Sequence, residues 1–309
     1  GEPAVPCAIE RRARVTAEPR ADDRVQVDAA DLSLDGFTVT WGGSVDEQPD
    51  VDAPPQLVEA AVRYVDEAVA QTRDAIDDEE CGFDIRIESD IPLGAGLGSS
   101  AAVVVAAIKA ATAAVGVDLS PREVAQRAFR AEYAAQDGQA SRADTFCSAV
   151  GGAVRVEGED TRRIDAPSLP FVIGYDGGAG VRDLRERHDF AADTVRAIGD
   201  ITRTGEELLA AAADDGLTER RLDELGELMD VDHGLLSALG VSARSLDAMV
   251  WSAREAGAYG AKLTGAGGGG CVVALDETDG TETALSLAPA CERAFRAELA
   301  TDGVRVIDE

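Results

Sequence analysis

The stretch Ile91-Pro-Leu-Gly-Ala-Gly-Leu-Gly-Ser-Ser-Ala-Ala102 decides how this chain is read. It follows an alternating apolar segment, Phe83, Ile85 and Ile87, which predicts a half-buried strand. It leads into Ala101–Val115, rich in Ala and Val and long enough for a helix. Strand, glycine-rich loop and helix N-terminus together make an anion cradle. Gly94, Gly96 and Gly98 let backbone N–H groups approach phosphate oxygens, and the helix dipole favours negative charge there. Ser99 and Ser100 add hydroxyls suited to capping, phosphate contact or Mg²⁺ ligation. A cradle for a nucleotide triphosphate would run through Pro92, Leu93, Gly94, Ala95, Gly96, Leu97, Gly98, Ser99, Ser100, Ala101 and Ala102. The plain alternative is a tight strand-to-helix turn with a serine cap. No Gly-Lys-Ser/Thr follows, so the loop is not a Walker A motif. The third glycine of a dinucleotide fingerprint would fall on Ser99, so that motif is also excluded.

A second glycine cluster lies far downstream, in Lys262-Leu-Thr-Gly-Ala-Gly-Gly-Gly-Gly-Cys271. It separates two short apolar segments, Tyr259–Leu263 and Cys271–Leu275, that predict paired strands. A tight hairpin needs only one or two glycines. The excess leaves a backbone loop open to a ligand, or a flexible hairpin.

Taken together, P-x-G-A-G-L-G-S-S-A-A and K-L-T-G-A-G-G-G-G-C resemble the kinases of the galactose, homoserine, mevalonate and phosphomevalonate (GHMP) superfamily. Within it the chain most resembles the archaeal mevalonate kinase family. Pro3-Ala-Val-Pro-Cys-Ala-Ile9 is similar to that family's P-A-I-A-x-A-I segment. Gly138-Gln-Ala-Ser-Arg-Ala-Asp-Thr145, with Gly151-Gly152 behind it, resembles the segment bearing its catalytic aspartate. Leu235-Leu-Ser-Ala-Leu-Gly-Val-Ser242 resembles the helix before its last glycine loop. The family's first lysine-bearing strand and G-E-H-A-V segment have no counterpart before Pro3. The expectation is that the chain lacks this first motif, and the family's active-site lysine is left unassigned.

The resemblance implies an α+β, two-domain fold: a ribosomal-S5-like N-terminal domain (1–165), a ferredoxin-like C-terminal domain (166–309), and an active site between them. It implies ATP-dependent, Mg²⁺-assisted phosphorylation of mevalonate in isoprenoid synthesis, with Asp144 as general base. Ser100 and a helix glutamate would hold Mg²⁺. Glu132, twelve residues before Asp144, is the nearest such residue, whereas the family spacing of about eleven falls on Tyr133. Thr264, Gly265, Ala266, Gly267 and Gly268 would close over phosphates and substrate. Another kinase or decarboxylase of the superfamily, or a nucleotide-binding protein without catalysis, are the alternatives.

Composition bounds the rest. The chain has 309 residues, 45% of them hydrophobic, which suffices for two cores. No apolar run is long enough to span a membrane, and no signal-peptide pattern opens the chain. Five cysteines without metal-ligand spacing read as free thiols in a cytoplasmic setting. Against 59 acidic residues stand 29 basic ones, of which only Lys109 and Lys262 are lysines. That dense, scattered negative charge resembles proteins of salt-loving organisms and argues against nucleic-acid binding. The oligomeric state stays open, a homodimer included.

Along the chain, strands are expected at Ala8–Glu18, Phe37–Trp41, Gly152–Glu157, Phe171–Tyr175 and Val304–Ile307. Helices are expected at Pro55–Ile76, from Ser120-Pro-Arg-Glu123 to about Asp137, through Ala191–Ala238, at Ser245–Ala256 and at Thr281–Ala300, the last broken at Pro289. Asp144 is expected on a loop rim after the Gly138–Ala143 turn. Arg142 is read as facing substrate carboxylate or solvent, Lys262 as a strand residue, and His188 and His233 as structural.

Overall fold

The computed structural model describes residues 2–29, 37–41, 55–92, 94–178 and 190–307. The chain forms two compact units and crosses between them more than once. Residues 11–93, 98–151 and 301–309 make one; residues 1–10, 94–97 and 152–300 make the other.

The first unit is built on a four-stranded sheet in the order β1-β4-β2-β3. Its strands are β1 (Ala13–Arg20), β2 (Val25–Ala29), β3 (Phe37–Trp41) and β4 (Gly82–Ser89). β4 runs antiparallel to β1 and parallel to β2. Alternation along β2 and β4 puts Val25, Val27, Phe83, Ile85 and Ile87 in a buried cluster. Val65 and Val69 of α1 (Pro55–Ile76) and Ala111 of α2 (Ser99–Ala114) complete that cluster. α3 (Pro121–Ala135) starts at a full capping box, with Ser120 accepting from the Glu123 N–H and Glu123 accepting from the Ser120 N–H. Pro121 at the first helical position fits the same start. Lys109, buried on α2, donates to Asp118 at 2.5 Å and to the Leu119 carbonyl at 2.7 Å.

The fourth helix of this unit, α4 (Arg142–Val150), is closed by the C-terminal segment. The Val304 N–H donates to the Ala149 carbonyl at 3.0 Å. Gly303 lies so close that an added Cβ would stand 2.1 Å from that same oxygen. The Arg12 guanidinium donates to the Asp302 carbonyl at 3.0 Å. The tail 304–307, expected as a strand, is irregular, and Val306 and Ile307 are exposed. Among the described residues no β ladder pairs it.

The second unit carries a four-stranded antiparallel sheet in the order β10-β7-β9-β8. Its strands are β7 (Phe171–Tyr175), β8 (Gly260–Leu263), β9 (Cys271–Leu275) and β10 (Arg293–Ala297). A hairpin, β5 (Ala153–Glu157) with β6 (Asp160–Ile164), is joined by N-terminal bridges at Ala4–Val156 and Cys7–Ala153. Ala153 and Ile164 share a core with Leu209, Leu222 and Leu225 of α5 (Phe190–Asp215) and α6 (Glu219–Ala238). That packing puts the changeover at Gly151/Gly152 rather than at the expected 165/166, and Pro167–Pro170 lies inside the unit. α7 (Arg244–Glu255) and α8 (Gly280–Leu287) pack Leu246, Met249, Val250 and Leu285 with β7–β9 residues such as Val172 and Val272. α8 stops before Pro289, and the expected restart is instead β10, in register with β7.

Candidate active site

The loop after β4 is a run of alternating left-handed glycines: Gly94 at φ 66°, Gly96 at 77° and Gly98 at 70°. Such alternation is the backbone pattern from which anion-binding nests are built. Ala95 is buried and anchors it. Gly98 is the N-cap of α2 and offers no side-chain cap, so the first-turn N–H groups of α2 stay available. Pro92 and Ala101 are buried packing residues, and the Ala102 N–H closes onto the Gly98 carbonyl at 2.9 Å. Leu93 lies outside the described residues, as does His188.

Three side chains of the first unit gather at this helix start. Ser100 Oγ donates to Glu132 Oε1 at 2.7 Å. Glu132 is 2% exposed whereas Tyr133 is 50% exposed, so the inward carboxylate, not the residue at the family spacing, meets Ser100. Tyr133 instead lies against Gly138. Burial pushes the Glu132 carboxyl up to about 7, helped by the negative Asp144 and opposed by the Ser100 hydrogen bond. Asp144 stands against Gly98: a Cβ there would lie 3.8 Å from Asp144 Oδ1.

Asp144 sits in the first turn of α4, not on the expected loop rim. Ser141 caps that helix, its Oγ accepting from the Ala143 N–H at 3.1 Å. Phe146, Cys147 and Ala149 of α4 are buried. The Asp144 carboxylate is open to solvent yet crowded by protein, and the lost hydration raises it above the ordinary carboxylate range. Arg142 stacks over the Phe129 ring, 4.0 Å from its centroid.

A divalent cation fits this cluster. Ser99 Oγ is buried without a hydrogen-bond partner, and Glu132 is a buried carboxylate facing a second one. Ser100 and Glu132 would hold Mg²⁺ from two protein oxygens, leaving phosphate and water to complete its shell. Among the described residues no group of three His, Cys, Asp or Glu side chains gathers for a metal.

The second glycine loop belongs to the other unit and is shaped from outside. The Thr264 N–H donates to the Cys271 carbonyl at 3.0 Å and closes its base. Gly265, Gly267, Gly268, Gly269 and Gly270 all take positive φ. The Gly268 N–H donates to the Val241 carbonyl at 2.7 Å. Gly265 comes so near Gly96 that a Cβ would lie 2.6 Å from its Cα. Gly265 and Ala266 are the loop's exposed end. Lys262 is ion-paired with the largely buried Asp232 at 2.6 Å. His233 is structural: its Nδ1 accepts from the Leu263 N–H at 3.3 Å and its Nε2 faces Asp247.

Two residues of these sites escape sequence reasoning. Tyr64, within the apolar stripe of α1, reaches Ser100 and Gln136 with its hydroxyl. Asp176, at the end of β7, accepts from the Gly270 N–H. A lone phenol on an Ala/Val stripe was the only local sign of the first, and the second had none.

The family patterns "GHMP kinases N terminal domain" and "GHMP kinases C terminal" match residues 56–152 and 208–291. The mevalonate kinase of Pyrococcus furiosus is 34% identical, covering 99% of this chain and 92% of the relative. That of Thermococcus sibiricus is also 34% identical, covering 100% and 93%. The solved L. major mevalonate kinase in complex with R-mevalonate shares the fold, with a TM-score of 0.72 at 21% identity over 98% of this chain and 91% of that one. The fold class expected from the two loops is thus the one found, and the chain belongs to the GHMP kinases and, within them, to the mevalonate kinase family.

Proposed function

We propose that this kinase transfers the γ-phosphoryl group of ATP to the primary hydroxyl of mevalonate, giving 5-phosphomevalonate and ADP. The observation that carries the reading is the meeting of Ser100, Glu132 and Asp144 at the glycine-capped start of α2, in a chain similar over its whole length to mevalonate kinases. In the transfer, the acceptor oxygen bonds to Pγ, the bond from Pγ to the bridging oxygen breaks, and the acceptor proton passes to the Asp144 carboxylate. The alternating glycines and the α2 N-terminus cradle the phosphates. Ser100 and Glu132 would hold Mg²⁺, which would supply charge neutralisation at the phosphates. Thr264, Gly265, Ala266, Gly267 and Gly268 line the phosphates and substrate with backbone alone.

The remaining expectations belong to the same reading: a cytoplasmic enzyme adapted to high salt. Among the described residues the five cysteines form no disulfide, and no helix is long and apolar enough to cross a membrane. The net charge of −30 is best screened in molar salt, where the Debye length is about 3 Å. Lowering KCl to about 0.1 M is expected to lower the thermal midpoint and the activity, measured by calorimetry and ADP release. The function itself is tested by ADP release from the full-length protein in molar KCl, with mevalonate, phosphomevalonate, galactose and homoserine offered separately. ADP release with mevalonate alone is expected. Turnover with a different acceptor overturns the substrate, and none with any acceptor overturns the kinase reading.

A further inference from the structure

Asp176 is the point from which the second glycine loop hangs. Its Oδ1 accepts from the Gly270 N–H at 2.8 Å and from the Gly178 N–H at 2.9 Å. Its Oδ2 accepts from Ser245 Oγ at 2.5 Å, on the first turn of α7. The backbone answers in the opposite sense, the Asp176 N–H donating to the Gly270 carbonyl at 3.0 Å. One carboxylate therefore ties the end of β7, the start of α7 and the last glycine of the loop. Gly270 needs such a hold: its φ is 93°, and it lies against Ala95 of the first loop, whose carbonyl an added Cβ would meet at 2.7 Å. A run of four glycines carries no side chain with which to fix itself and has many unstrained alternatives.

We propose that Asp176, oriented by Ser245, is a positioning residue that holds the Thr264–Gly270 loop in its phosphate-binding shape. The proposal rests on reading that loop as the ligand loop of a kinase. Asp176 acts through the Gly270 N–H and the strand end on which the loop is mounted. A carboxylate serves here because four lone-pair sites can accept three donors at once, and hydrogen bonds to a charged acceptor are the stronger kind.

The test uses the full-length protein and two readouts, amide hydrogen exchange across Thr264–Leu275 and the affinity for a non-hydrolysable imido analogue of ATP with Mg²⁺. Asp176→Ala is expected to speed exchange within the loop and weaken the analogue about tenfold, while the Cys271–Leu275 strand keeps its protection. Asp176→Asn keeps an acceptor for Gly270 and can donate to Ser245, so affinity is expected to return to within about threefold of the parent. Ser245→Ala, which leaves the carboxylate in place, is expected to move both readouts in the same direction by less. Unchanged exchange and affinity in Asp176→Ala overturn the proposal. So does faster exchange with unchanged affinity, or exchange that rises equally through the strand, since either makes the clasp merely structural. Should Asp176→Ala fail to fold, Ser245→Ala decides by the same criteria. A parent that binds the analogue but turns over no mevalonate overturns the substrate reading and leaves the clasp standing on its own result.

Discussion

The two glycine-rich loops solve one problem in opposite ways. The first spaces its glycines singly, one left-handed residue between ordinary ones, and ends on the helix that begins at Ser99. Its shape is local, and it ends on two serines, of which Ser100 donates to Glu132. The second strings glycines together and takes its shape from others: Val241, Asp176 and Gly96. Where chemistry needs side chains, glycine is used sparingly; where it needs only bare backbone, glycine is abundant and the restraint comes from elsewhere.

The comparison breaks most visibly at Asp144. Asp144→Asn keeps shape and removes the proton acceptor, so kcat is expected to fall about 10²- to 10⁴-fold with nucleotide affinity retained, read from steady-state ADP release and analogue titration. Full turnover in that variant would remove Asp144 from the role of base. The next effect contrasts two glycines of similar φ. Gly267→Ala places a Cβ 2.1 Å from the Val241 carbonyl, whereas Gly98→Ala meets nothing nearer than the Asp144 side chain at 3.7 Å. Gly98→Ala carries backbone strain of about 1–2 kcal/mol, and Gly267→Ala adds a displaced carbonyl to the same strain. Chemical denaturation should show the larger loss for Gly267→Ala; equal losses would mean that Val241 yields freely and the second loop is not shaped from outside.

Smaller effects sharpen the contrast. Glu132→Gln leaves the Ser100 hydrogen bond an acceptor but is expected to weaken the proposed cation site. The Mg²⁺ concentration giving half-maximal ADP release is expected to rise about tenfold or more, at least what loss of an outer ligand contact costs. The smallest effect lies at the approach to the second loop. His233 is held below its ordinary value, first by burial, with Arg254 adding to it and Asp247 and Asp230 opposing. Its neutral Nδ1 accepts from the Leu263 N–H, so below the ordinary value of 6.5 the unfolded chain takes up the proton more readily than the native one. Stability is therefore full above that pH and declines on acidification. His233→Gln should flatten that decline in denaturation curves recorded across mildly acidic pH, and a decline of unchanged slope would exclude His233 as its source.

Sequence pattern reached furthest where the signal is local. The capping box at Ser120–Glu123, the helix Pro55–Ile76 and the strands Phe37–Trp41, Phe171–Tyr175 and Cys271–Leu275 fall where periodicity and punctuation put them. It failed where partners decide. β2 alternates buried and half-buried residues over only five positions, too short a run to stand out. Arg293–Ala297 is a strand because β7 offers an edge to it, which no local pattern announces. The nine-residue α4 went unread because its cap, Ser141, lies within the expected Gly138–Ala143 turn and opens too short a period. In the site, Ser100, Glu132 and Asp144 were nameable through motif and family likeness. The choice of Glu132 over Tyr133 needed burial, which is a property of packing. Tyr64 and Asp176 act across long sequence separations and leave no local trace.

The closure of α4 by the C-terminal segment sets an order of assembly. The helix that bears Asp144 ends on a carbonyl answered by Val304, and the whole of residues 152–300 lies between the two in the chain. During synthesis the Asp144 unit cannot be finished as its own residues emerge; it must wait, open at one end, until the other unit has been made. A fragment stopping near Gly151 would present α4 with its last turn unanswered, and a tag or cleavage near residue 304 would disturb that helix end without touching Asp144. Contacts of such separation form late and slowly. The helix carrying the proposed base would then be among the last parts of the molecule to become rigid.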